Sequence, residues 1–427
     1  MAHPTLVTGD LLGVPFPPTI EALLDQGPEF LTGALRATGA MSADNRVTAI
    51  RSAEEFHGGG MGRKLLLSVQ YLRAEPGLAS DLFAKFPRDF GDPLRELFAP
   101  LMAPEVRFAL LSRRRGFPIR VPRCFFADFD ASTASGLLIT ERIAYGQGGI
   151  EPAYEKCMDY RLKEPLRYYR ALATSMAKLA GCFRAGTLGD GFAEQFPWVP
   201  PNQVIPYDLP ALRSKIGSLR EFASHVPHLF PDDLASGANL DRFAAEAETM
   251  LMAQAQIVAH LNDQPDLISF CHLNTNVDNA WFWPDAGGDL QVGLLDWGGV
   301  GQMHLATAFY GLICSAETDF LRAHRNELIL LVGEEYRRWG GPSASTEGLV
   351  ESVKLACGLM GLAWMMDAPA LVRSSLPDYR TIESRFDAKL QSNFLARVQL
   401  QPLIVLMSEW REQHIGAAVR ELLGHAS

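Results

Sequence analysis

Two side chains in the second half of the chain are of the types that hold a hard cation through oxygen. Asn279 offers a neutral amide oxygen and Asp296 a carboxylate, and strand-forming residues lie beside each, around Phe282 and over Val292–Leu295. Magnesium takes oxygen ligands and keeps several waters, so one or two protein ligands beside phosphate groups suffice for it. The same residues also have a structural reading, in which Asp296 closes the turn at Trp297-Gly298-Gly299 and Asn279 bonds local backbone. Just upstream, Phe270-Cys271-His272-Leu273-Asn274-Thr275-Asn276-Val277-Asp278 brings an imidazole, amides and a carboxylate into one short run.

A third candidate lies far from these. Leu82-Phe83-Ala84-Lys85-Phe86 reads as a strand, in which alternate residues share a face, so Lys85 sits on the side of Phe83. A lysine there is either a snorkelling surface residue or a charge with a partner. Before it, His57-Gly58-Gly59-Gly60-Met61-Gly62-Arg63 joins two strand-like runs, Arg46–Arg51 and Leu65–Leu72. A dinucleotide fingerprint or a P-loop needs a helix after its glycines, so that the helix N-terminus meets the phosphates. Here a strand follows, and the Lys-Ser/Thr ending of a P-loop is missing. An ordinary β-turn and a hairpin laid over phosphates both remain open for this segment. Cys271, His272 and His304 lack zinc-ligand spacing, and no G-x-S-x-G elbow occurs. Trp281, Trp283 and Trp297 flank the motif, either as core residues or as a stacking platform.

The elements that must position these groups change character along the chain. Thr19–Met41 reads as helical with an interruption near Pro28. Asp92–Arg113 also reads as helical, with a break near Pro104 and Glu105 starting the second part. Pro122–Ala127 and Gly136–Thr140 are strand candidates, and Glu141–Pro152 is a glycine-containing loop. Helical patterns follow over Leu166–Ala185, Leu240–Leu261 and residues 303–336, 347–366 and 384–424. This order predicts an α+β chain, with a small antiparallel sheet lobe over residues 1–145 and a large, mostly helical lobe over residues 146–427.

Taken in order, these parts resemble the aminoglycoside-phosphotransferase and ecdysteroid-kinase-like small-molecule kinases, relatives of the protein kinases, over nearly the whole chain from Thr19. Members show His-Gly-Asp, four residues, Asn, and then a hydrophobic strand ending in Asp. His272, Asn279 and Asp296 stand at those places, with Leu273 where the glycine would be and Asn274 where the Asp would be. The resemblance implies a protein-kinase-like bilobal fold and a phosphotransferase that uses ATP and magnesium on a small hydroxylated acceptor. It implies Asn279 and Asp296 as metal residues, and Lys85 on the α- and β-phosphates with Glu105 as its carboxylate partner. Gly58, Gly59, Gly60 and Gly62 would belong to a loop covering the nucleotide, and the backbone from Glu141 to Ile143 would meet the adenine edge. His272 would brace the catalytic loop.

The chain departs from that pattern at its centre. Asn274 can orient a hydroxyl but cannot take its proton, and losing a general base costs a factor of about 10² to 10⁴. Three outcomes follow: Asn274 positions the acceptor alone, Asp278 receives the proton, or the protein is a nucleotide-binding pseudokinase with a scaffold or regulatory role. A second departure is Gly301-Gln302-Met303-His304 followed by Thr307, where relatives have a Gly-Asp-Pro-like turn and a helix-starting Asp.

Bulk properties bound the rest. The 427 residues carry a formal charge of −10, with 48% hydrophobic and 21% charged residues, a globular profile with no basic surplus for nucleic acid. The six cysteines include no CxxC pair, which fits buried reduced thiols. Met1-Ala2-His3-Pro4 does not open a signal peptide, and no apolar run reaches the roughly 18 residues that span a bilayer. The expectation is a cytoplasmic protein with a small-molecule partner and no membrane or nucleic-acid partner.

Overall fold

The computed structural model describes residues 4–56, 62–343 and 345–425. Strand β1 (Val7–Thr8) pairs with β2 (Pro15–Phe16) ahead of helix α1 (Ile20–Ala37). Thr19 caps α1 by accepting the Ala22 N–H, and Gly27 at φ 57° breaks the helix just before Pro28, as the sequence predicts. Next come β3 (Val47–Glu55), β4 (Arg63–Tyr71), β5 (Asp81–Phe86), the short α2 (Arg95–Phe98), α3 (Met102–Leu111), β6 (Cys124–Asp130) and β7 (Ser135–Glu141). Strands β3 to β7 form a five-stranded antiparallel sheet in the order β3-β4-β5-β7-β6. The helical break expected near Pro104 falls instead at a 3₁₀ turn over Ala99–Leu101. Pro104 lies in the first turn of α3, where its missing N–H would have had no intrahelical acceptor in any case.

The pleat sorts the two faces of this sheet. Leu65, Leu67 and Val69 of β4 and Leu82, Ala84 and Phe86 of β5 form one core with Leu23, Leu31 and Leu35 of α1. Ala127, Phe129 and Leu138 form a second core with Met102, Val106 and Ala109 of α3. Lys64 and Lys85 are one step out of phase with the first set, so they lie on the α3 face. They are also direct cross-strand partners.

The chain then becomes largely helical, with α4 (Pro165–Arg184), α5 (Phe192–Gln195), α6 (Leu209–His225) and α7 (Gly237–Asn262). Strands β8 (Ile268–His272), β9 (Ala280–Pro284), β10 (Leu290–Leu294) and β11 (Val300–His304) follow; β8 pairs with β11, and β9 with β10. The remainder is α8 (Leu305–Ile313), α9 (Thr318–Arg338), α10 (Thr346–Met365), α11 (Ala368–Ser375), α12 (Ala388–Ser392), α13 (Phe394–Glu412) and α14 (Ile415–His425). The α+β class expected from the sequence is observed. Two compact units result: residues 1–151, 189–196 and 293–300 form the first, and residues 152–188, 197–292 and 301–427 the second.

Helices α6 and α11 lie outside the helical patterns predicted from the sequence, whereas α10 falls on the one over residues 347–366. Helix α6 is not anticipated, although Leu212, Ile216, Leu219 and Phe222 recur at helical spacing and Asp208 caps its start. The region around α10 corrects the expectation about bilayer-length segments, because Thr346–Ser375 is long and apolar enough by length and composition. Of its most apolar window, 67% is buried inside the protein, where α10 packs against α7, α8, α9, α13 and α14. Glycines and isolated charges interrupt its apolar residues, so a search for unbroken apolar runs passes over it.

Candidate active site

In the first unit, Lys85 is the centre of a buried ionic cluster. Its Nζ lies 2.7 Å from Glu105 Oε2 and 2.8 Å from Asp296 Oδ1, and Lys85 and Glu105 are only 6% and 5% exposed. Burial alone would lower the lysine's pKa, but the carboxylates of Asp296 and Glu105 outweigh it and hold the ammonium above its ordinary range. Burial pushes Glu105 upward, with Lys85 opposing. An ammonium so enclosed needs those partners to stay charged.

Helix α3 positions both carboxylates. Glu105 and Phe108 are three residues apart and share a helix face. Phe108 stacks on Trp297 with ring centroids 3.8 Å apart and planes at 20°, and Trp297 Nε1 donates to the Leu294 carbonyl at 3.1 Å. Trp297 is therefore a core residue. Asp296, held between this stack and Lys85, adopts the left-handed conformation at φ 64°, ψ 64°, which costs a non-glycine residue roughly 1–2 kcal/mol.

The other nucleotide candidates surround this cluster in sequence. Gly58, Gly59 and Gly60 lie outside the described residues. At Gly62 a Cβ would fall 2.2 Å from the Phe86 carbonyl oxygen, so close approach to the end of β5 requires glycine there. Glu141 closes β7, its N–H bonded to the Arg123 carbonyl at 2.9 Å and its carboxylate accepting the Arg123 N–H at 2.8 Å. Ile143 follows beyond the strand, half-buried.

In the second unit the loop after β8 is held by neutral hydrogen bonds. His272 is fully buried and its Nδ1 accepts the Asn274 N–H at 3.0 Å. Asn279 Nδ2 donates to the Asn274 carbonyl at 3.0 Å; a carbonyl only accepts, so this bond leaves the Asn279 amide oxygen for another partner. Asn276 donates to Asn274 Oδ1, and its own oxygen accepts from Ser315 Oγ at 3.3 Å and Cys314 Sγ at 3.7 Å. Ser315 Oγ is also 3.5 Å from Asp159 Oδ2, which receives the Tyr169 hydroxyl. Burial pushes Asp159 up to about 7, with the Tyr169 bond opposing and the charge of Asp278 adding to it. Helix α8 lies tight against the loop: a Cβ on Gly311 would be 1.6 Å from the Leu273 carbonyl oxygen. His304 caps α8 by accepting the Ala306 N–H at 3.1 Å, and burial lowers its pKa to about 4.

The same unit contains a polar cavity lined by Tyr160, Glu317, Arg385, Phe386, Gln391 and Gln401. Glu317 pairs with Arg385 through one oxygen, while its Oε1 is buried with no hydrogen-bond partner among the described residues. Cys157 also lines this cavity.

The donor chemistry fits magnesium. Among the described residues no group of three or more His, Cys, Asp or Glu side chains is arranged for a metal, but magnesium needs only one or two protein oxygens beside phosphates. Asn279, with its amide nitrogen already committed, and the carboxylate of Asp296 are oxygen donors of that kind.

No family model matches this chain, and no characterised relative does. Solved structures do resemble it. APH(2")-IIia, in complex with GDP and kanamycin, is 12% identical, with 85% of this chain and 94% of that one covered and a TM-score of 0.43. A microcompartment-associated aminopropanol kinase is 13% identical, covering 90% and 98%, with a TM-score of 0.39. Choline kinase from Cryptosporidium parvum Iowa II is 13% identical, covering 88% and 90%, with a TM-score of 0.38.

Lys85, Glu105 and Asp296 are thus brought together in the first unit, and His272, Asn274, Asp278 and Asn279 share one loop in the second. Two lysines escape the sequence analysis. Lys64 stands opposite Lys85, half-buried, its pKa lowered by burial and then by the Lys85 charge. Its place directly after Gly62-Arg63 was the signal that could have found it. Lys156 Nζ lies 3.4 Å from both Asn274 Oδ1 and Asp278 Oδ2, and no spacing in the sequence announces that.

Proposed function

We propose that this protein is an ATP- and magnesium-dependent phosphotransferase acting on a small hydroxylated molecule. The observation that carries the reading is Lys85 enclosed by Glu105 and Asp296, since a buried cation shared by two carboxylates is a costly arrangement for stability alone. In this reading Lys85 binds the α- and β-phosphates, Glu105 fixes the lysine, and Asp296 with Asn279 holds the metal. The backbone at Glu141 to Ile143 meets the adenine, and Gly58, Gly59, Gly60 and Gly62 belong to the segment over the phosphates. Magnesium, when bound, neutralises charge on the triphosphate. His272 braces the loop and Asn274 orients the acceptor hydroxyl. The hydroxyl oxygen attacks the γ-phosphorus, the bond to the β-phosphate oxygen breaks with its electron pair staying on ADP, and the hydroxyl proton passes to Asp278.

A nucleotide-binding pseudokinase is the second reading, favoured by the amide at Asn274. Thermal-shift titration with ATP and magnesium is the first test. Stabilisation is expected in the wild type and lost in Asp296→Ala; equal shifts in both would refute the metal assignment. Transfer from γ-labelled ATP into a cell extract then separates the two readings. Label incorporated by the wild type supports the phosphotransferase, whereas label incorporated only by Asn274→Asp supports the pseudokinase.

A further inference from the structure

Among the described residues, every polar atom of Asn274 but one is committed. Its N–H goes to His272 Nδ1, its carbonyl accepts from Asn279, and its Oδ1 accepts from Asn276 and from Lys156. An ammonium has donors and no acceptor, so the Asn274 atom facing Lys156 must be the oxygen. That choice fixes the next amide, because Asn276 must then present its NH₂ to the same oxygen. The Asn276 oxygen is left for Ser315 and Cys314, where the structure has it. One lysine thereby sets the orientation of two side-chain amides that are otherwise free to flip. What remains uncommitted on Asn274 is its NH₂.

The lysine is itself anchored. Arg397, 5% exposed, donates from Nε to the Lys156 carbonyl at 2.9 Å. The next residue, the buried Cys157, turns the chain through the left-handed region at φ 59°. The Lys156 ammonium also lies 3.4 Å from the Asp278 carboxylate, so it ties both ends of the Asn274–Asp278 segment.

We infer that Lys156 is a positioning residue that makes Asn274 a hydrogen-bond donor, with its NH₂ directed to the acceptor's oxygen. The inference rests on the phosphotransferase reading for what Asn274 touches, but not for how Asn274 is oriented. It gives the Asp-to-Asn difference a physical content: at this position the loop holds the acceptor oxygen by donation, where a carboxylate would accept.

Side-chain amide exchange in ¹⁵N-labelled full-length protein tests the orientation without any nucleotide. The Asn274 and Asn276 signals are identified by their loss in Asn274→Asp and Asn276→Asp. In the wild type the Asn274 NH₂ is expected to exchange with water about tenfold or more faster than that of Asn276, the usual direction when one amide is bonded and the other is not. Lys156→Met should collapse the difference and Lys156→Arg should keep it, with ATP hydrolysis (water as acceptor) falling in kcat about tenfold or more in the Met variant alone, at unchanged KM for ATP. A protected Asn274 NH₂ in the wild type, or a difference that survives Lys156→Met, overturns the inference. If the wild type neither binds nor hydrolyses ATP, the phosphotransferase reading fails while the exchange ratio still decides the role of Lys156.

Discussion

Lys85, Glu105 and Asp296 are held together by charge, the first two buried and Asp296 partly exposed, whereas Asn274, Asn276 and Asn279 are held by amide hydrogen bonds, with the Lys156 ammonium at the edge of their loop. The contrast concerns what each region tolerates. In the ionic cluster the buried Lys85 and Glu105 depend on each other's charge, so removing one strands the other in low dielectric. In the amide loop each bond is a modest neutral one, and what matters is which end of each amide points where. The first region is therefore expected to be brittle towards loss of charge, and the second sensitive to orientation and close packing.

The largest effect is expected at Lys85. Lys85→Met leaves Glu105 buried without its cation and should cost about 3–5 kcal/mol, read from denaturant midpoints at neutral pH. Lys85→Met combined with Glu105→Met removes both charges and should recover much of that loss. Additive destabilisation in the double variant would show that the pair is not coupled, and would remove the distinction drawn between the regions.

The second region contains a buried carboxyl, Asp159, that behaves in the opposite sense. The pKa of Asp159 is raised from 3.8 to about 7 in the folded protein, chiefly by burial. Its contribution thus favours the fold below about pH 4, fades as the pH rises through about 7, and is absent above that. Asn is neutral at every pH, so the stability of Asp159→Asn relative to the wild type should rise by about 3–4 kcal/mol between pH 4 and pH 8. His304, lowered to about 4, favours the fold above about pH 6.5 and loses that contribution as the pH falls. It is common to both proteins and cancels in the comparison. A difference that stays flat with pH would mean that Asp159 remains ionised among its hydrogen bonds.

The regions also differ in how much of them the sequence discloses. The sheet and the strand carrying Lys85 follow from a period of two, whereas the pairing of Lys85 with Glu105 is implied by the family resemblance and supported by the cost of a bare buried ammonium. The loop carrying His272, Asn274 and Asn279 is singled out by its resemblance to the family motif. What escapes is what depends on contact between distant segments. Lys156 reaches Asn274 from 118 positions away, and Trp297 finds Phe108 through a stacking that no local pattern encodes. The break in the helix before Glu105 was misplaced because a proline stops a helix interior but is accepted in a first turn. The apolar length around α10 is hidden in the sequence because small and polar residues divide the apolar ones, although 67% of its most apolar window is buried by tertiary packing.

The smallest effects come from one methyl group added beside each site. Gly62→Ala would place a Cβ 2.2 Å from the Phe86 carbonyl, and Gly311→Ala one 1.6 Å from the Leu273 carbonyl. In both cases the neighbour is backbone, so relief requires a main-chain shift, expected to cost about 1–3 kcal/mol. The consequences diverge because the displaced segments differ. At Gly62 the push falls on the strand end next to Lys85, but the lysine keeps its two carboxylates by charge, which tolerates small changes of distance. Binding of ATP and magnesium, followed by thermal shift, should therefore weaken little. At Gly311 the push falls on the residue before Asn274, whose short hydrogen bonds fail over a fraction of an ångström and a few tens of degrees. ATP turnover should therefore drop more than stability does, and exchange of the Asn276 amide should speed up. If instead Gly62→Ala abolishes nucleotide binding while Gly311→Ala leaves turnover and exchange untouched, the ionic cluster is the geometrically exacting region and the amide loop the tolerant one.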